Sequence, residues 1–308
     1  MLKSVYRNFK IKQYLRHNSP IILYHQIYPK PVSSGSIGHV VELDKFEQQI
    51  DQITKRHKIL FVDELFERLE KGEPMKGLAS ITFDDGMTSV FDYALPFLEE
   101  RNIPTTVFLN SNYVNGGIFW RNLVAMIIKE NLEEDFVSFA GVVCRNISPN
   151  NFYKDSKNTE KVNQIDLLEA MKEFLNKIRG NDIVDKGAAS LNVLRRWATP
   201  LVQYGNHTAN HFIMAGLSFN DQLKEILEVA EFLKNNFARE NISNTFAIPF
   251  GDDGSYNDDT IRALKKCGYN RILPSQSADY LRGKIPNSER QGLFFYNRFM
   301  PRQDTRFY

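Results

Sequence analysis

The chain has 308 residues, 42% of them hydrophobic and 25% charged, enough for a sizeable core in one large domain or two small ones. Lys and Arg number 39 against 37 Asp and Glu, and this balance argues against a nucleic-acid partner. The two cysteines, Cys144 and Cys267, lie far apart without a C-x-x-C pair, which argues against a disulfide framework or a thiolate zinc site.

The first twenty residues carry Lys3, Arg7, Lys10, Lys12 and Arg16 and no acid. They contain no apolar h-region, so they do not read as a signal peptide, and no stretch reaches the ~20 apolar residues of a spanning helix. Val5, Phe9, Ile11 and Leu15 are interleaved with the basic residues, a pattern suited to weak contact with an anionic membrane surface. Residues 1–19 therefore read as a basic, solvated lead-in, and the expected location is the cytoplasm, with loose attachment to the inner membrane face as the alternative.

"PIILYHQI" (20–27) is the first strand candidate, and "VELDKFEQQIDQITKRHKI" follows with Leu43, Phe46, Ile50 and Ile53 at helical spacing. "FVDELFERLEKG" is a second helix, stopped by Gly72, and "GLASITF" is a buried strand that runs straight into Asp84 and Asp85. "MTSVFDYALPFLEERN" predicts a helix with a kink or restart at Pro96, and "IPTTVFLN" (103–110) the next strand. Alternating strands and helices point to parallel strands covered by helices, in which chemistry collects at the carboxyl ends of the strands. His25, the two acids and Asn110 all fall at or beyond such ends.

From Tyr113 to about Gln203 the pattern changes. "FWRNLVAMIIKE", "QIDLLEAMKEFLNKI" and "AASLNVLRRWATP" read as helices, with the polar connector "RNISPNNFYKDSKNTEK" between the first two. These helices are too few to bury a core alone, so the stretch reads as a helical insertion capping one end of the sheet within a catalytic unit of residues 20–308. Trp120, at its start, could stack on the face of a ligand ring or pack among helices. The alternation then resumes. "FNDQLKEILEVAEFLKNNF" has an apolar face of Leu223, Ile226, Leu227, Ala230 and Leu233, and "NTFAIPFG" is a strand. "NDDTIRALKKCGY" is a helix, and "NRILP" and "GLFFYNRF" are the last strands.

Two of the six histidines form "GNHTANH" (205–211), an i, i+4 pair that could bring both imidazoles to one side of a helical turn. Two histidines and a carboxylate make a facial triad for zinc or another divalent ion, with positions left open for water and substrate. One of the adjacent acids supplies the missing ligand. A carboxylate on the ion also explains how its neighbour stays charged beside it.

"TFDDG" and "HTANH" resemble the first and second motifs of the polysaccharide deacetylases, the NodB-homology family or carbohydrate esterase family 4. "ALPFLEERNIPTTVFLN" and "FAIPFG" continue the likeness, which covers roughly residues 20–115 and 200–300. The resemblance implies a distorted (β/α) barrel that removes an N-acetyl group from an amino sugar. It makes Asp85, His207 and His211 the metal ligands, with zinc the expected ion, and Asp84 the general base. The family's third motif usually begins with arginine, where this chain has Ala247; Arg298 or Arg302 is the candidate replacement. The family's late acidic histidine is also missing, since no histidine follows His211. "ILYHQI" resembles the early strand of the poly-N-acetylglucosamine deacetylase branch, in which a histidine near the N-terminus takes that role; His25 is the matching residue.

The chemistry needs an oxyanion donor too, and the Phe250 N–H after Pro249 is the candidate. With no export signal, the expected partner is a nucleotide- or lipid-linked N-acetylated sugar made for a surface glycan. A metal-dependent amidase or esterase on another substrate, and a catalytically weak carbohydrate-binding protein, are the alternatives.

Overall fold

The computed structural model describes residues 6, 9–14, 18–30, 39–180, 187–276 and 287–307. Strands β1 (Ile21–Tyr24), β5 (Leu78–Phe83), β6 (Thr105–Leu109), β7 (Val202–Asn206), β8 (Ile242–Ala247) and β9 (Arg271–Leu273) lie side by side in that order, all parallel. Every residue of β1 and β6 is buried, as expected for parallel strands covered on both faces. Strand β4 (Lys58–Ile59) adds a short pairing to β5, and β10 (Asn287–Arg290) forms a hairpin with β11 (Leu293–Tyr296).

Strand β11 pairs with β9 at one end of this order, while β12 (Arg298–Phe299) pairs with β1 at the other. Only Asn297 separates the two, so one segment reaches both ends of the sheet. The sheet curls accordingly. Ile21, Phe108, Ala247, Leu273 and Tyr296, from five different strands, meet in one apolar cluster with Val62, Leu65 and Phe66. The last three belong to the helix Val62–Glu70, which is tied to β8 by Asp63: its carboxylate accepts from Ser243 Oγ at 2.7 Å, Thr245 Oγ1 at 2.6 Å and the Asn244 N–H at 2.7 Å.

The first strand is shorter than its apolar run predicts. It breaks at His25, and β2 (Gln26–Tyr28) leaves to pair with β3 (Val40–Glu42) in a separate two-stranded sheet. At Pro96 the expected restart is present. Proline has no N–H to donate and its ring crowds the carbonyl four residues back, and the preceding turn, Val90–Ala94, widens to a π-helix before Leu95–Glu100. In the helix Phe219–Asn236 the buried stripe lies to one side of the sequence reading: Val229 is buried and Leu227 is 45% exposed. Strand β7 and the helix Glu133–Ala140 are additions to the sequence reading.

The insertion is the crossover between the adjacent parallel strands β6 and β7. Trp120, Leu123, Ile127, Phe136, Phe174 and Leu175 from its helices share one apolar cluster with Phe246 of β8, Ile272 of β9 and Phe295 of β11. In the lead-in, Ile11 and Tyr14 are buried in the largest core cluster, whereas Tyr6 and Phe9 are exposed. Among the described residues, no helix is long and apolar enough to cross a membrane.

Candidate active site and metal centre

Strand register brings the carboxyl ends together. Tyr24 is level with Phe83, Leu109 with Asn206, and Asn206 with Phe246, so the residues that follow each strand converge on one rim. His25, Asp84, His207 and His211 all line one cavity of about 260 Å³, with Phe250, Ser275, Arg298 and Met300 around them. Asp85 is within reach of both histidines.

Both acids approach His207, Asp84 Oδ2 lying 3.4 Å from its Nε2, but their other partners differ. Arg298 grips Asp84 in a bidentate pair, Nη1 to Oδ1 at 2.6 Å and Nη2 to Oδ2 at 2.7 Å, with both side chains out of solvent. Asp85 Oδ1 lies 3.4 Å from His211 Nε2 and 3.6 Å from His207 Nε2, and it has no hydrogen-bond donor. One ligand atom each from Asp85, His207 and His211 falls within 4.8 Å of the others, all three buried. His207 Nδ1 is 2.8 Å from the Ala247 carbonyl, which sets Nδ1 as the protonated nitrogen and turns the Nε2 lone pair toward the acids. A carboxylate oxygen and an imidazole nitrogen, both buried and both without a partner, are costly unless a cation joins them. The donor set fits a divalent metal such as zinc.

Electrostatics separates the acids in the same way. Burial opposes charge on Asp84, but the Arg298 guanidinium, followed by His207, holds its carboxyl below the ordinary value. Burial, reinforced by the charge on Asp84, pushes Asp85 up to about 6. Burial also drives His211 well below its ordinary value and His25 down to about 3, the latter against the opposing pull of Asp84.

The loop carrying the histidines is not a helical turn. Thr208 and His211 adopt left-handed backbone, at φ 65° and 59°, and so do Asp85 at 73° and Phe250 at 62°. Non-glycine residues with positive φ persist where surrounding contacts over-determine them, and here those contacts are visible. Glu225 accepts from both the N–H and the side-chain amide of Asn210, at 2.8 and 2.6 Å. Asn110 Nδ2 donates to the carbonyls of His207 and Thr208 at 2.5 and 3.0 Å. Beside Asp85, Gly86 sits at φ 68°, where an added Cβ would lie 2.7 Å from Val114 and 2.9 Å from Leu109.

Trp120 is buried and its indole N–H donates to the His211 carbonyl at 3.1 Å, so it braces a ligand rather than offering a face to sugar. Of the two candidate arginines, Arg298 supplies the cation beside Asp84, while Arg302 is exposed. Ala247 and Arg298 both lie against Phe108, Ala247 by packing and Arg298 with its Cζ 5.6 Å from the ring. A guanidinium therefore reaches the base from β12, while the β8 position keeps a small buried side chain. Sequence reasoning missed Glu225, and it missed the wall residues His39, Arg121 and Tyr153.

Comparison with known proteins agrees with this geometry. A family model described as polysaccharide deacetylase matches residues 71–272. The chain belongs to the polysaccharide deacetylase family. The chain superposes along nearly its whole length on several solved structures. The Streptococcus pyogenes deacetylase PplD in complex with acetate matches at TM-score 0.57 and 16% identity, covering 92% of each chain. A de-N-acetylase from Aggregatibacter actinomycetemcomitans matches at TM-score 0.57 and 12% identity, over 94% of this chain and 97% of that one. IcaB from Ammonifex degensii matches at TM-score 0.52 and 17% identity, over 93% and 94%. At these identities the likeness is one of fold. A poly-beta-1,6-N-acetyl-D-glucosamine N-deacetylase from Staphylococcus epidermidis is 32% identical over 139 residues, which are 41% of this chain; the match spans about half of that relative, 47%.

Proposed function

We propose that this member of the polysaccharide deacetylase family is a metal-dependent hydrolase that removes the N-acetyl group of an amino sugar, in a cell-surface glycan or its nucleotide- or lipid-linked precursor. The observation that carries the reading is the division of labour between adjacent carboxylates: Asp84 is clamped by Arg298, whereas Asp85 reaches both His207 and His211 through an Oδ1 that has no hydrogen-bond partner. Asp85, His207 and His211 would hold a divalent ion, zinc by the donor set, which when bound would supply Lewis-acid polarisation of an amide carbonyl and acidify water.

The chain's own groups do the rest. Arg298 keeps Asp84 ionised and aimed, so that it takes the proton of the attacking water. The Phe250 N–H donates to the oxyanion as the tetrahedral centre forms. His25 protonates the departing amine, which leaves poorly as an anion. At a pKa of about 3 His25 rests neutral, so the proton it delivers is collected within the cycle, from Asp84. In the same reading the sheet is a distorted barrel, closed by the segment Leu293–Phe299 that lies beside β9 at one end and β1 at the other.

The test is acetate and free-amine release from N-acetylglucosamine oligomers and nucleotide-linked N-acetyl sugars by zinc-loaded protein. Release should stop on chelation and return with metal. Asp84→Asn should keep the ion and lose turnover. Acetate release that survives chelation, or undiminished metal in an Asp85/His207/His211 triple alanine variant, would overturn the assignment.

A further inference from the structure

One wall of the cavity comes from the insertion rather than from the strand ends, and it is positively charged. Arg121, on the helix Trp120–Lys129, lines the cavity with Tyr153. Its Cζ stands 5.3 Å from the Phe250 ring centroid, and its Nε is buried without a hydrogen-bond partner. Lys157 stands behind Tyr153, its ammonium 3.8 Å from the centre of that ring. Burial raises the Tyr153 phenol, but Arg121 and a hydrogen bond from Lys157 outweigh it and hold the phenol below its ordinary value, so both cations bear on the same hydroxyl.

Among the described residues neither Arg121 nor Lys157 has a carboxylate partner. The neighbouring Lys161 does, pairing with Asp155 at 2.7 Å, and the acids of the site are committed, Asp84 to Arg298 and Asp85 to the metal triad. A guanidinium that keeps a buried, unsatisfied nitrogen beside a cavity is poised for an oxyanion, which it can grip with two parallel donors. Size sets where that oxyanion lies. About 260 Å³ is just below the usual ligand-pocket range of roughly 300–1,000 Å³, so the reacting sugar fills the cavity and its neighbour rests on the rim.

We propose that Arg121, supported by Lys157 and Tyr153, binds an anionic group carried by the substrate next to the N-acetylated sugar, so that the preferred substrate is a charged amino-sugar compound rather than a neutral chain. The proposal rests on the deacetylase reading, and the anion is defined by its oxygens: a phosphate, a diphosphate link or a sugar carboxylate.

The experiment compares zinc-loaded wild type with Arg121→Gln, Arg121→Lys and Lys157→Gln. The substrates are N-acetylglucosamine 1-phosphate, a uridine-diphosphate-linked N-acetylglucosamine, a uronate-containing N-acetylated disaccharide and neutral di-N-acetylchitobiose. One lost charge-assisted hydrogen bond corresponds to roughly 10–100-fold in affinity. Arg121→Gln should raise KM for at least one charged substrate by that factor, with kcat within about twofold and the neutral disaccharide unaffected. Arg121→Lys should recover part of the loss, and added salt should raise KM for the charged substrate only. The responding substrate identifies the anion. Equal losses on charged and neutral substrates, or no wild-type preference for charge, would overturn the proposal. Should Arg121→Gln not fold, Lys157→Gln gives the same charged-versus-neutral comparison at a partly exposed position.

If the wild type hydrolyses none of the four, the deacetylase reading fails separately. Binding of N-acetylglucosamine 1-phosphate against N-acetylglucosamine then decides this proposal: tighter binding of the phosphate that Arg121→Gln abolishes supports it, and equal binding overturns it.

Discussion

Asp84 and Arg121 line the same cavity, but they arrive there by different physics. Asp84 follows a six-residue parallel strand, is 2% exposed, and is fixed by two short bonds to a buried arginine. Arg121 sits on a helix of the insertion, partly exposed, touching an aromatic ring and leaving a donor unspent. Strand ends are held by neighbours on both sides and position reacting groups tightly. A crossover between adjacent strands is free to vary in length and content, so it suits choice of substrate. On this comparison chemistry belongs to the sheet and selectivity to the insertion.

The largest expected effect is at the metal ligands. Asp85→Ala or His207→Ala should reduce bound zinc far below the roughly one ion per chain expected of the wild type, and acetate release should fall to background. Metal analysis after dialysis, alongside turnover, checks this. Full occupancy in both variants would break the assignment of Asp85 to the ion.

Next comes the buried pair. Removing one partner of a buried ion pair costs about 3–5 kcal/mol, so Arg298→Met should lower stability by that order as well as turnover. The pH sign follows from Asp84, whose pKa is lowered. Its contribution to stability is fully present above the ordinary value of 3.8 and is lost as pH falls through the lower native pKa. Arg298→Met should erase that acid-side loss, and urea unfolding from pH 2 to 6 would show an unchanged profile if the pair does not act this way.

His25→Ala should keep fold and metal while lowering acetate release by about 10²–10⁴-fold, with a smaller loss on an activated ester whose leaving group needs no proton. Equal losses on amide and ester would remove His25 from the acid's role.

Trp120→Phe sharpens the comparison, because it lies in the insertion but touches a ligand. Loss of the indole donor to the His211 carbonyl should weaken zinc binding by about 10–100-fold, the range for groups that orient metal ligands. An unchanged zinc affinity would show that the insertion serves only selectivity. The smallest effect belongs to Leu227→Lys: the side chain is 45% exposed, and stability should shift by no more than about 0.5 kcal/mol.

The site was legible where it is local. "TFDDG" closes a strand and "HTANH" places two imidazoles four residues apart, so each motif names its residues locally, although the histidine loop takes left-handed backbone rather than the helical turn the spacing suggested. The partner of Asp84 was not legible in that way, because Arg298 lies 214 residues along the chain and meets the acid only through the pairing of β12 with β1. Position alone could nominate Arg298 and Arg302 together; only the register chose. Glu225 was hidden for another reason. It reads as one polar residue on an amphipathic helix, and its burial against Asn210 depends on how that helix is rotated over β7.

By itself the sequence determined the alternation of apolar strands and amphipathic helices, the two histidines and the adjacent acids from which a metal site could be built, and the stop signals that bound most elements. Periodicity and short motifs are properties of neighbours along the chain, and they survive without knowledge of the fold. Tertiary structure decided which acid faces the histidines, which arginine holds the other, and that Arg121 and Tyr153 of the insertion reach the cavity. Those outcomes depend on strand register and on the packing of the crossover against β8, β9 and β11, contacts between residues too distant in sequence for any local pattern to encode.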